Sequence, residues 1–203
     1  MYRSEWTNHT TLHLFPHWNW HEGDSVDMWA YYNNADEVEL FVNGRSMGRS
    51  RKTSERLHAI WEAVPFESGD IEAVSYKGGK VVARHKRVTS GEPSQLVLTA
   101  DRSTISADGY DLSFVTVECV DADGNMVPTA MNQLYFEVVG AGELAGVDNG
   151  NATGMESLKG TSMKLFNGKA LAIVRSLRGV EGDITLTVMG DGVENASITI
   201  SAK

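Results

Sequence analysis

Between its glycines the chain alternates apolar and polar side chains with a period of two. Val26, Met28, Ala30 and Tyr32 interleave with Asp27, Trp29 and Tyr31, and Val38, Leu40 and Val42 interleave with Glu37, Glu39 and Phe41. Ile184, Leu186 and Val188 repeat the pattern, as do Ala196, Ile198 and Ile200. Successive side chains on a strand point to opposite faces, so this period predicts half-buried β-strands. Turn signals fall between the runs at Asn43-Gly44, Gly78-Gly79, Asp108-Gly109, Asp123-Gly124-Asn125, Asn149-Gly150, Asn167-Gly168 and Asp191-Gly192. Such pairs supply positive φ at low steric cost. No window carries a 3.6-residue apolar stripe of helical length. The pattern predicts an all-β chain built as sandwiches or a barrel.

The length of 203 residues suits two domains better than one small sandwich. A boundary is expected at Ser90-Gly91-Glu92-Pro93, between a closing strand over 80–89 and an opening strand over 95–100. Pro93 lacks an amide donor and fits a linker or sheet edge. The halves differ in kind, since every Trp lies in the first and none in the second. No internal repeat is visible.

Composition narrows the partners. A net charge of −9 argues against nucleic acid, whose phosphates need a Lys/Arg surface. No apolar run approaches the ~20 residues that span a bilayer. Cys119, the single cysteine, follows Val115 and Val117 in alternation and reads as a small buried hydrophobe. The first residues contain no apolar core of a signal peptide, so the chain is expected to be cytosolic or a piece of something longer.

The densest chemistry lies in Thr11-Leu-His-Leu-Phe-Pro-His-Trp-Asn-Trp-His21. This aromatic and imidazole cluster is expected to pack against something. His9, His13, His17 and His21 repeat every fourth residue, which on a helix would align a metal-binding face. Pro16 blocks such a helix, and on a strand successive imidazoles would stand about 13 Å apart. No metal site and no cofactor is therefore expected. His17, Trp18 and Trp20 are the candidate ligand-binding residues, either as an aromatic platform or as a domain interface. Trp18, Trp20, Trp29 and Trp61 could stack on sugar rings or be buried; burial is ranked first.

Other motifs read as structure. Gly44-Arg-Ser46-Met-Gly48 matches the spacing of a nucleophile elbow, but it follows a hairpin turn and no helix follows it. Gly140-Ala-Gly142-Glu-Leu-Ala-Gly146 has its third glycine one residue late for a dinucleotide loop, again without a helix. Asp121-Ala-Asp123-Gly-Asn125 starts like a calcium loop, yet Asn132 stands where the twelfth-position Glu belongs. Glu37 and Glu39 match a glycosidase pair by residue type; a solvated strand face beside Lys or Arg is the favoured reading. No catalytic residue is assigned.

Leu14-Phe-Pro-His-Trp-Asn-Trp20 and Val38-Glu-Leu-Phe-Val-Asn-Gly-Arg-Ser-Met-Gly48 resemble the region after the catalytic barrel in glycoside hydrolase family 2 β-galactosidases of gut bacteria. Leu96-Val-Leu-Thr-Ala-Asp-Arg102, Ser113-Phe-Val-Thr-Val117, Gly146-Val-Asp-Asn-Gly150 and Phe166-Asn-Gly168 are similar to the last Ig-like domain of those enzymes. The resemblance implies two tandem immunoglobulin-like antiparallel β-sandwiches, over 1–91 and 92–203. It implies a parent that removes terminal β-galactosides with two glutamates on a (β/α)8 barrel. That barrel would precede Met1, so Met1 is expected to mark a cut within a longer polypeptide. The expected partners are that barrel and, as an alternative function, carbohydrate bound by these domains. An adhesin-like spacer is the remaining alternative. A periplasmic or extracellular location is expected for the parent.

Overall fold

A computed structural model describes residues 1–203. The chain is nearly all strand and divides into two compact units, Met1–Thr89 and Ser90–Lys203. The first contains one short helix, α1 (Tyr2–Trp6), and strands β1 (Leu12–Phe15), β2 (Ser25–Tyr32), β3 (Glu37–Val42), β4 (Arg45–Ser50), β5 (Ala59–Pro65), β6 (Asp70–Lys77) and β7 (Lys80–Val88). A five-residue helix is too short to show an apolar stripe, which is why periodicity missed α1. The Ser4 hydroxyl donates to the Met1 carbonyl at 2.7 Å, and Lys52 pairs with Glu5.

These strands form a three-stranded antiparallel sheet, β1-β2-β5, and a four-stranded antiparallel sheet, β4-β3-β6-β7. The alternation decides which faces are buried. Met28, Ala30 and Tyr32 of β2 meet Val38, Leu40 and Val42 of β3 in one apolar cluster, with Leu14, Trp18, Trp61 and Ile71. The β3–β4 hairpin turns on Asn43 (φ 48°) and Gly44 (φ 76°). Both central residues are left-handed, as a two-residue turn that matches strand twist requires.

The second unit holds β8 (Gln95–Ala100), β9 (Thr104–Ile105), β10 (Leu112–Val120), β11 (Gln133–Gly140), β12 (Gly142–Asp148), β13 (Ser162–Lys164), β14 (Lys169–Ser176), β15 (Gly182–Gly190) and β16 (Val193–Ala202). The hydrogen-bonded order is β12-β14-β10-β8-β16-β15-β11-β13, with β9 beside β16. Within it, the parallel pair Glu194 with Gln95 joins two halves that are antiparallel except for β9, which runs parallel to β16. Val115, Val117 and Cys119 from one half pack in the same cluster as Phe136, Leu186 and Val188 from the other. Gly168 closes the turn before β14 at φ 74°, where a Cβ would lie 2.2 Å from the Val127 carbonyl oxygen. Only glycine fits there.

Candidate functional site: an aromatic sheet face

Register across β1 and β2 pairs His13 with Tyr31, Leu14 with Ala30, and Phe15 with Trp29. Leu14 and Ala30 belong to the core. Their strand neighbours therefore point the other way, and β2 carries Trp29 and Tyr31 on that outer face. His58, just before β5, joins them. The Trp29 and His58 rings stack at 4.4 Å with planes 9° apart. Phe15 stacks on Tyr31 at 5.4 Å and meets Trp29 edge-on at 5.7 Å. His13 lies 5.7 Å from Phe15. None of these rings belongs to the core cluster of this unit. Each such pair contributes about 0.5–1.5 kcal/mol beyond area burial.

The three candidate ligand-binding residues part company. Trp18 has 0% exposure, donates its indole N–H to the Glu67 carbonyl at 3.0 Å and packs 5.2 Å from Phe66. It offers no surface to a ligand. Trp20 is 36% exposed and stacks on half-buried His17 at 4.7 Å. Trp61 is buried and donates to the Gly48 carbonyl at 3.0 Å. The period of Trp29 and Tyr31 against Met28 and Ala30 placed the first two on one face. The contributions of Phe15 and His58 depended on strand pairing, which no local pattern carries.

The four regularly spaced histidines diverge as well. His21 stands exposed beside Asp24 at 3.4 Å, whereas His13 contacts His85 on β7 at 5.3 Å. No group of three or more His, Cys, Asp or Glu side chains converges as a metal site would require. His85 Nδ1 accepts the Leu14 backbone N–H at 3.0 Å, which ties β1 to β7. That bond requires an unprotonated nitrogen. Burial, then the Arg87 charge, then His13, push the His85 pKa down to about 4. An unfolded histidine titrates near 6.5, so the unfolded chain takes up this proton first as pH falls. The contribution of His85 is whole above about pH 6.5, declines toward about pH 4 and is lost below. Urea unfolding of the first unit, followed by tryptophan fluorescence, should weaken across that window. His85→Ala should lose part of the slope.

Glu37 and Glu39 do not form an acid/base pair. Arg49 lies between them, 3.1 Å from Glu39 Oε2, and also pairs with Glu37. The Ser46 hydroxyl donates to Glu39 at 2.7 Å. That bond first, and then Arg49, hold the Glu39 carboxyl below its ordinary range. A general acid near neutral pH needs the opposite shift. Ser46 thus sits on a hairpin strand, and the carboxylate it faces is a weak base because that hydroxyl and Arg49 both pair with it. Arg49→Ala removes an exposed clamp, so the unfolding midpoint should stay within about 3 °C.

Asp121 is buried, and both of its oxygens are occupied. Oδ1 accepts the amides of Asp123 at 3.0 Å and Asn125 at 2.8 Å. Oδ2 accepts the amide of Gly91 at 2.8 Å and the Asn125 side chain at 3.2 Å. This carboxylate caps a turn between strands.

A model of the glycoside hydrolase family 2 C-terminal domain 5 matches residues 96–199. A domain of unknown function, DUF4982, matches 23–83. The β-galactosidase BoGH2A of Bacteroides ovatus is 49% identical over 203 residues, all of this chain and 24% of that protein. A β-glucuronidase of Formosa agariphila is 26% identical over 98% of this chain and 20% of its own length. The crystal structure of a β-glycosidase from Bacteroides vulgatus superposes with a TM-score of 0.89 at 33% identity, covering 99% of this chain and 26% of that one. The chain belongs to glycoside hydrolase family 2, in the C-terminal part of such glycosidases. It spans about a quarter of the length of BoGH2A.

Proposed function

We propose that this chain is the non-catalytic C-terminal region of a family 2 β-galactosidase, built of two immunoglobulin-like sandwiches. The observation that carries the reading is the match, along the whole chain, to a quarter of a β-galactosidase. The antiparallel layers closed over one core in each unit support the immunoglobulin-like description. The pairing of both carboxylates supports a structural role for them, because Glu37 and Glu39 share Arg49 and Glu39 also accepts the Ser46 hydroxyl. Hydrolysis would fall to two glutamates of a (β/α)8 barrel earlier in the same polypeptide. This region would support that barrel by packing. The purified chain should not turn over a chromogenic β-galactoside. Turnover that a point substitution within these residues abolished would overturn the proposal.

A second reading, carbohydrate binding, is favoured by one observation: Trp20 is exposed and stacked on His17. Adding galactosides or polysaccharides should quench tryptophan fluorescence if that reading holds. A flat titration ends it.

A further inference from the structure

We propose that the outer face of the β1-β2-β5 sheet is the surface on which this region docks against the preceding part of its own polypeptide. The inference rests on the accessory-region reading above and names the face that does the supporting. The two outward faces of the first unit differ in chemistry. The β4-β3-β6-β7 sheet carries ion pairs suited to water: Arg49 with Glu37 and Glu39, Arg84 with Glu72, and Lys86 with Asp70. The β1-β2-β5 sheet instead carries half-buried Phe15, Trp29, Tyr31 and His58 together with exposed His13, which touch one another and stay outside the core, with Asp27 and Glu62 at one end of the same face. Contiguous aromatic surface of this kind marks a contact site, and buried aromatic clusters dominate interface energetics.

The occupant follows from length. BoGH2A matches this chain with 24% of its sequence, so the reading above leaves about three quarters of such a parent to cover the face. The approach of the chain points the same way. Asn33, next to β2, binds the Thr7 carbonyl at 3.1 Å and the Thr11 amide at 2.8 Å through its side chain. The segment leading into β1 is thereby fixed against the end of this sheet, and α1 on it exposes Tyr2 and Trp6 (77%).

Hydroxyl-radical footprinting tests this without any substitution. Half-buried Phe15, Trp29 and Tyr31 should label measurably in the 203-residue chain and lose that labelling in the full natural polypeptide. Tyr76, on the ion-paired sheet, should label equally in both. Equal labelling of the aromatic face in an active full-length enzyme would overturn the docking proposal and leave the accessory reading intact. A natural polypeptide without an upstream glycosidase barrel would remove that reading and the docking proposal with it. Loss of labelling in the isolated chain on adding galacto-oligosaccharide would replace docking by a sugar platform.

Discussion

Trp18→Ala should destabilise the first unit by about 4 kcal/mol, enough to unfold a marginal domain. The indole is the largest side chain with no exposed surface, and it lies between the two sheets' core residues. Its removal leaves a cavity that the surrounding strands cannot fill, and it orphans the Glu67 carbonyl. Trp18→Phe keeps most of the volume and should recover part of the loss. Urea denaturation followed by the remaining tryptophans reads the first unit alone, because the second unit has none. An unchanged midpoint for Trp18→Ala would mean that the indole is not a core element.

Asp121→Ala should cost the second unit about 1.5 kcal/mol, because the Gly91, Asp123 and Asn125 amides of the turn exchange a buried charged acceptor for water. The effect should also depend on pH. The Gly91 amide foremost, and then Asn125, hold the Asp121 carboxyl below its ordinary range. Its folded pKa therefore lies under its unfolded value, near 3.9. The stabilisation is complete above that value and disappears as pH falls through the folded pKa. The wild-type and Asp121→Ala melting temperatures, followed by far-ultraviolet circular dichroism, should converge in acid. A constant gap from pH 7 to pH 2 would assign the loss to packing instead.

Much of the strand pattern could be read from residues alone. The buried positions of β2 and β3 alternate as their sequences do, and Asn43-Gly44 turns as its composition demands. Cys119 is buried on β10 beside Val115 and Val117. Residues with special roles were harder to place. Trp18 and Trp20 are two positions apart in the same aromatic run, yet one is enclosed and the other half open to solvent. Their difference arises from Phe66 and Glu67, which lie far along the chain. The His85 contact with Leu14 spans a comparable separation. Such long-range pairings have no local signature, so the candidate site could be narrowed to a segment but not to a face.

The pairing order of the second unit sets a schedule for its birth on the ribosome. β8, the first strand emerging, meets β16 only at Glu194, and β15 takes β16 as its neighbour along nearly its whole length. Until β16 has been translated, β15 presents an open edge and the two halves lack the strand that joins them. The first unit is complete by Thr89 and faces no such wait. Nascent chains stalled before Val193 should therefore display a folded leading unit and a trailing one that remains accessible to protease and to chaperones.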